Sequence, residues 1–180
     1  MTHRTLVLGG ARSGKSAYAE HLLPADQSVT YVATARRDSA DAEWEARIAA
    51  HVARRPPAWH TVEPVDLAAL IATATDQTLL VDDLATWLTG VLDDTSAWDG
   101  SLVAAGQRVD ELVASVARCR VRLVLVSAEV GLGVVPETRS GRLFRDELGS
   151  LNARLAGVCE ESVLLVAGLP VSLKRHGGSP

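Results

Sequence analysis

Short apolar runs alternate with longer amphipathic segments along most of the chain. The run Val121–Ser127 is mostly branched and aliphatic, is too brief for a helix, and is apolar at four successive positions, Leu123–Val126. Such a run predicts a strand that is buried on both faces. The other predicted strands are Thr5–Leu8, Val29–Ala33, His60–Val62, Leu79–Val81 and Val163–Ala167.

Between these runs, apolar residues recur at helical spacing. In the segment Asp41–Arg54, Trp44, Ile48 and Val52 are four residues apart, and prolines follow. Strands that alternate with helices predict an α/β fold, in which helices cover both faces of a mostly parallel sheet. The other predicted helices are Gly14–Leu23, Asp66–Thr75, Leu84–Leu92, Leu102–Arg118 and Arg139–Glu161, with a loop at Gly131–Pro136.

The composition predicts one catalytic domain spanning residues 1–180. Hydrophobic residues make up 47% and charged residues 22% of the 180 residues, which is typical of a globular domain. The net charge of −4 disfavours nucleic acids and anionic membranes as partners. No apolar run reaches the roughly 20 residues that span a bilayer. We expect a cytoplasmic protein without a signal peptide, in which Cys119 and Cys159 are buried apolar residues rather than metal ligands.

The segment Gly9–Ser16 matches the pattern G-x-x-x-x-G-K-[ST], and it follows a predicted strand and opens a predicted helix. In this pattern backbone N–H groups surround a polyphosphate. The Lys15 ammonium group can reach the β- and γ-phosphates, and the Ser16 hydroxyl can coordinate Mg²⁺. The sequence therefore predicts a nucleotide site for ATP or GTP, formed by Gly9, Gly10, Ala11, Arg12, Ser13, Gly14, Lys15 and Ser16.

Two acids close the predicted strand Leu79–Val81, where phosphate-loop enzymes carry a metal-side carboxylate. Asp82 is the preferred residue for this role. Asp83 is the alternative, because adjacent strand residues point to opposite faces and only one of them can face the metal. Both acids are also suited to capping the helix that follows.

His51 is a candidate nucleophile on the predicted helix Asp41–Arg54. It lies four residues after Arg47 and four before Arg55, so it shares a helical face with Arg47, and with Arg55 if the helix extends that far. Neighbouring guanidinium groups favour a neutral imidazole, which can attack phosphorus. The alternative interpretation is that His51 is a surface or packing residue and that the neighbouring arginines simply form a solvent-exposed face.

Further segments appear in a specific order along the chain. After the phosphate loop come Tyr31–Thr34, Arg47–His51, Trp59, Leu80–Asp82, Thr86–Leu88, Ser127–Glu137, Phe144–Asp146, Asn152 and Gly168–Pro170. In these segments the chain resembles, over nearly its whole length, the bifunctional adenosylcobinamide kinase / adenosylcobinamide-phosphate guanylyltransferase family of cobalamin biosynthesis. Ala128 departs from the pattern, because the family usually has Asn before Glu-Val-Gly, and Asp83 stands where a non-acidic residue is common.

The resemblance implies a RecA-like P-loop nucleotidase fold, a homotrimer, and a covalent GMP-histidine intermediate at His51. It implies adenosylcobinamide and adenosylcobinamide phosphate as substrates, with GTP, ATP and Mg²⁺, and leaves open which nucleotide donates the phosphoryl group. Beyond the phosphate loop, the implied GTP contacts are Thr34, Ala35, Arg36, Val52, Ala53, Arg54, Arg55, Glu63 and Asp82.

Two other functions are compatible with a phosphate loop. One is a small-molecule kinase or ATPase in which His51 is structural and carries no nucleotide. The other is a GTPase-type switch, which is disfavoured because neither Lys15 nor Lys174 lies in the Asn-Lys-x-Asp pattern that reads guanine.

Overall fold

The computed structural model describes residues 3–36, 49, 55–63 and 66–175. Within this part of the chain, the strands form one seven-stranded sheet in the order β3-β2-β4-β5-β1-β6-β7. Neighbouring strands are parallel, except that β6 and β7 are antiparallel. The strands are β1 (Arg4–Gly9), β2 (Val29–Ala33), β3 (Trp59–Val62), β4 (Thr78–Asp82), β5 (Leu123–Ala128), β6 (Glu161–Val166) and β7 (Leu169–Lys174).

Helices cover both faces of this sheet, which confirms the predicted α/β class. Alternation along the strands supplies a core to each face: Val7 of β1 packs with Ala19 of α1, whereas Leu6 and Leu8 pack on the opposite side. In the stretches 3–36, 55–63 and 66–175 the helices are α1 (Lys15–His21), α2 (Leu67–Thr73), α3 (Leu84–Asp94), α4 (Val103–Arg118) and α5 (Arg139–Val158).

Three of these helices begin at a polar residue that caps the first turn. Asp66, Asp83 and Thr138 precede α2, α3 and α5, and each side chain accepts a hydrogen bond from the backbone N–H three residues further on. The caps explain why the predicted starts of these helices lie within one residue of the observed ones.

The C-terminal part of the chain differs from the prediction. Helix α5 ends at Val158 rather than at Glu161, which instead begins β6. The Lys174 ammonium group donates to the carbonyl oxygens of Ala156 and Cys159 at 3.0 and 2.6 Å, so a residue from the end of β7 caps the helix. Local helical periodicity contains no information about this distant cap.

Strand β7 was absent from the prediction, which placed the last strand at Val163–Ala167. Its second residue is Pro170, which argues against a strand in a sequence-based assignment. Among the described strands β7 pairs only with β6 and lies at the edge of the sheet, so the missing N–H of Pro170 disrupts no central ladder.

Two further expectations can be compared with the structure. Cys119 and Cys159 are free and buried, as predicted. No helix in the described ranges is both long and apolar enough to cross a membrane.

Candidate active site

The phosphate loop, Gly9–Ser16, connects the end of β1 to the start of α1. Gly9 has to be glycine because a Cβ there would lie 2.3 Å from the Ser13 hydroxyl oxygen, and Gly14 has φ +88°, where L side chains are strained. Lys15 Nζ lies 3.5 Å from a carbonyl oxygen of the loop, so the ammonium group folds back over it. The Ser13 hydroxyl is buried and has no hydrogen-bond partner among the described residues. The loop thus offers an ammonium group and a hydroxyl to an anion.

The strand-end carboxylate of Asp82 lies on the α1 side of the sheet, beside this loop. Leu80, two residues earlier in β4 and therefore on the same face, packs in the α1-side core. Ser16 Oγ donates to Asp82 Oδ1 at 3.2 Å. The Tyr31 hydroxyl donates to Asp82 Oδ2 at 2.6 Å. Both carboxylate oxygens are therefore held by hydroxyl groups, and one of these belongs to the phosphate loop.

The neighbouring Asp83 serves a different purpose on the α3 side. Its Oδ1 accepts from the Thr86 backbone N–H at 2.8 Å and from the Thr86 hydroxyl at 3.1 Å, which caps α3. The Thr34 hydroxyl donates to the Asp83 carbonyl oxygen at 2.6 Å. Burial is the main cause that raises the pKa of the Asp83 carboxyl above its ordinary value. Asp83 is therefore the helix cap, and Asp82 is the acid that faces the loop.

Arg55 lies over the Tyr31 ring. Its guanidinium carbon is 3.5 Å from the ring centroid, and Arg55 Nη1 donates to the Thr61 hydroxyl at 2.8 Å. The Trp59 ring is tilted against Tyr31, with centroids 6.4 Å apart. Burial, followed by the charge of Asp82, raises the pKa of Tyr31 above its ordinary value. The Tyr31 hydroxyl thus stays protonated and acts as a hydrogen-bond donor.

A cavity of about 300 Å³ lies between the end of β2 and helices α3 and α4. Thr34, Ala35, Arg36 and Glu63 all line it. Arg36 forms an ion pair with Asp94 of α3 at 2.6 Å, and this contact holds the pKa of the Asp94 carboxyl below its ordinary value. The cavity wall thus combines charged groups of both signs with apolar surface from α3, a combination that suits a polar organic ligand.

The model of the family described as cobinamide kinase / cobinamide phosphate guanyltransferase matches residues 5–173 of the chain. The chain belongs to this family. The bifunctional adenosylcobalamin biosynthesis protein CobP of Pseudomonas aeruginosa is 44% identical over 177 residues, covering 95% of this chain and 97% of that protein. The CobU proteins of Salmonella typhimurium and Escherichia coli, which carry the same description, are 38% and 37% identical over 180 residues, each covering 94% of this chain and 98% of the relative.

The structure places some, but not all, of the residues for which family membership implies a role. Lys15, Ser16 and Asp82 gather at the phosphate loop, and Arg55 lies on Tyr31. The residues after β2 and β3 for which GTP contacts are predicted, Thr34, Ala35, Arg36 and Glu63, line the cavity. His51, Val52, Ala53 and Arg54 lie outside the described residues, as do Arg47 and Ile48, so their roles stay predictions.

The family's usual Asn before Glu-Val-Gly is Ala128 in this chain, and the structure shows a different amide nearby. Asn152 of α5 is buried, and its Nδ2 donates to the Ala128 carbonyl oxygen at 2.9 Å. Its Oδ1 accepts from the Ser127 hydroxyl at 2.7 Å. The backbone at the end of β5 is thus fixed by α5 and does not depend on a polar side chain at position 128.

Sequence reasoning missed the partnership of Tyr31 with Asp82. The two residues are 51 positions apart, and no spacing rule connects them. Tyr31 pairs with Leu80 in the sheet, and Asp82 follows two residues later, so both side chains lie on the α1 face. The relevant signal was strand alternation, which becomes useful only once the register between β2 and β4 is known.

Proposed function

We propose that this member of the family phosphorylates adenosylcobinamide with ATP or GTP and then transfers GMP from GTP to adenosylcobinamide phosphate. The products of the second reaction are adenosylcobinamide-GDP and pyrophosphate. The observation that supports this proposal most directly is the pairing of Ser16 with Asp82 beside the phosphate loop, since it joins a phosphate site to a strand-end acid.

The donor groups at this point fit Mg²⁺. Ser16 Oγ and Asp82 Oδ1 are both oxygens, and they lie 3.2 Å apart. Mg²⁺ is commonly bound through one or two protein oxygens, with substrate phosphates and water as the other ligands. Among the described residues no three His, Cys, Asp or Glu side chains gather to form a protein cage. A bound Mg²⁺ would neutralise negative charge on the phosphates.

In the kinase reaction the chain mainly positions and neutralises the reactants. The loop N–H groups and the Lys15 ammonium group hold the triphosphate, and the γ-phosphoryl group passes to the hydroxyl of the aminopropanol arm of adenosylcobinamide. The new P–O bond forms as the bond from the γ-phosphorus to the β–γ bridging oxygen breaks, so the nucleoside diphosphate leaves and the acceptor hydroxyl gives its proton to water. Such alignment and charge stabilisation supply most of the catalysis in phosphoryl transfer.

In the guanylyl transfer, the neutral His51 imidazole attacks the α-phosphorus of GTP. An N–P bond forms, the bond to the leaving oxygen breaks, and pyrophosphate departs. A phosphate oxygen of adenosylcobinamide phosphate then attacks the same phosphorus, which releases His51 and forms the diphosphate link. The covalent intermediate means that the two anionic substrates never have to react directly with each other.

The cavity beside β2 is our candidate for the guanosine part of GTP. Its lining includes the Glu63 carboxylate, which can accept hydrogen bonds from guanine N1–H and from the exocyclic amine. Adenine lacks this pair of donors on its Watson–Crick edge. The assignment therefore accounts for a preference for GTP in the guanylyl transfer, and it requires no preference in the kinase reaction.

We also infer that the protein forms a homotrimer and works in the cytoplasm, where nucleoside triphosphates are plentiful. The hairpin formed by β6 and β7 carries four exposed apolar side chains on one face, with exposed fractions of 46–70%: Val166, Leu169, Val171 and Leu173. A continuous apolar face of this kind favours contact with a second copy of the chain. The molar mass in solution, measured by light scattering, tests the trimer.

The decisive experiment is the intact mass of the protein after incubation with GTP and Mg²⁺. We expect one added GMP, located on His51 by peptide mapping. His51→Ala should abolish the adduct and spare the kinase reaction. Lys15→Ala should reduce both reactions by about 10²–10³-fold, because it removes a charged contact to the phosphates.

Two outcomes would contradict the proposal. An absent adduct together with a fully active His51→Ala variant would leave a small-molecule kinase or ATPase. Equal loss of both reactions in His51→Ala would contradict the separation of their chemistry.

A further inference from the structure

We propose that Tyr31 is a positioning residue with two separate contacts. Its hydroxyl holds Asp82 beside the phosphate loop, and its ring anchors Arg55, four residues after His51. The inference rests on the proposed function, because it takes Asp82 as the metal-side acid and His51 as the acceptor of GMP.

The hydroxyl contact fixes the orientation of the carboxylate. Tyr31 is 1% exposed and packs in the α1-side core, so its ring has little room to turn. Its hydroxyl donates a hydrogen bond to Asp82 Oδ2 at 2.6 Å, so this oxygen already has a partner. The other oxygen, Oδ1, is thereby directed at Ser16 and the phosphate loop. A partner of this kind keeps a metal-binding carboxylate in position before the metal arrives.

The ring contact holds the chain that follows the His51 segment. Arg55 stacks on the Tyr31 ring at 3.5 Å and donates to Thr61 of the adjacent strand β3. Arg55 Nε is buried and has no hydrogen-bond partner in the described ranges. The position of the guanidinium group therefore depends on the aromatic face and on Thr61. Because His51 precedes Arg55 by four residues, we expect the position of Arg55 to influence the position of His51.

Together the two contacts connect the two chemistries of the site. The same side chain touches the acid that both reactions use and the arginine next to the segment that only the guanylyl transfer uses. A hydroxyl-specific defect should therefore affect both reactions through Mg²⁺, whereas a ring-specific defect should slow the guanylyl transfer more than the kinase reaction.

The first test removes only the hydroxyl, with Tyr31→Phe. We expect GTP with Mg²⁺ to raise the thermal midpoint of the wild type. In Tyr31→Phe the Mg²⁺ concentration that gives half of this rise should be about tenfold higher, because removing the partner of a metal ligand typically weakens metal affinity by about this factor. GTP binding in EDTA should be unchanged. The matched control is Tyr18→Phe, because Tyr18 is the other tyrosine of the chain and packs against the same core from α1.

The second test separates the ring from the hydroxyl. At saturating Mg²⁺ and GTP, Tyr31→Phe should acquire GMP at the wild-type rate, because it keeps the ring. Tyr31→Leu and Arg55→Met should each form the adduct about five- to tenfold more slowly, and each should lose less in the kinase rate than in the rate of adduct formation. The double variant should be no slower than either single one, because both remove the same contact.

The proposal has a hydroxyl half, the contact of the Tyr31 hydroxyl with Asp82, and a ring half, the contact of the Tyr31 ring with Arg55. The outcomes of the two tests decide each half separately. An unchanged Mg²⁺ requirement in Tyr31→Phe overturns the hydroxyl half, and so does a loss of GTP affinity that is equal with and without Mg²⁺. Additive effects of Tyr31→Leu and Arg55→Met overturn the ring half, because Arg55 then acts on GTP independently of Tyr31.

The test remains informative if one variant or the proposed function fails. Should Tyr31→Leu not fold, Tyr31→Met takes its place in the comparison with Arg55→Met, since it fills similar space without an aromatic face: additive effects of the two substitutions overturn the ring half. Should the wild-type protein acquire no GMP, the proposed function fails, yet the Mg²⁺ titration of Tyr31→Phe still decides the hydroxyl half.

Discussion

At the end of β4 one aspartate lies on each side of the sheet, and the two carboxylates have different roles. On the α1 side, the Asp82 carboxylate accepts from the hydroxyls of Ser16 and Tyr31. On the α3 side, the Asp83 carboxylate accepts from the backbone and hydroxyl of Thr86. Each acid is thus held by donors, and residue type alone does not distinguish a ligand-facing acid from a structural one.

The difference lies in where the donors come from. Thr86 is three residues from Asp83, so that contact forms within one helical turn and is complete in the folded chain. The donors to Asp82 come from β2 and from the phosphate loop, 51 and 66 residues away. One of the donors to Asp82 is a hydroxyl of the phosphate loop itself. Asp82 can therefore replace this hydrogen bond by a contact to a metal ion bound at the loop.

We expect Asp82→Ala to have the largest effect of these substitutions, because it removes the carboxylate on the α1 side. Both reactions should slow about 10³-fold, which corresponds to about 4 kcal/mol of transition-state stabilisation. Steady-state rates of both reactions at saturating Mg²⁺ measure this. Retention of either activity would show that another acid serves the site.

Asp83→Ala should show the opposite pattern, with a loss of stability and little loss of activity. Removing the cap of α3 should lower the free energy of unfolding by about 1 kcal/mol. The thermal midpoint should fall by about 2–4 °C, the usual shift for a chain of this length. Asp83→Asn is the matched control, because asparagine caps helices about as well as aspartate does. A large loss of activity at temperatures where Asp83→Ala is folded would contradict its structural role.

The pH dependence of stability should show the smallest effect. Burial raises the pKa of Asp83 in the folded state above its ordinary value of 3.8, so the folded protein binds this proton more tightly than the unfolded chain. The resulting stabilisation is present below 3.8 and is lost as the pH rises through the folded pKa. The free energy of unfolding of the wild type, relative to Asp83→Asn, should therefore decline from acidic to neutral pH in urea titrations. A difference that rises over this range would contradict the sign.

Much of the fold and part of the site could be predicted from local patterns. The alternation of strands and helices predicted the α/β sheet, and the predicted starts of α2, α3 and α5 lie within one residue of the observed ones. Strand alternation was the reason to expect that only one of Asp82 and Asp83 faces the loop, and it left open which one. The structure answers this through Leu80, which places Asp82 on the α1 side.

The features that were not predicted involve partners far apart in the chain. The end of α5 depends on Lys174 at the end of β7, and the pairing of Tyr31 with Asp82 depends on the register between β2 and β4. Strand β7 itself is tolerated as an edge strand despite Pro170, and edge position is a property of the sheet.

The sequence by itself determined the phosphate loop, the layered α/β class and the two acids at a strand end, because glycine geometry and side-chain alternation act over a few residues. The tertiary structure alone decided which acid meets Ser16, which aromatic residue supports that acid, and which arginine lies on the aromatic ring. These contacts depend on strand order and register, and packing of the whole chain sets both.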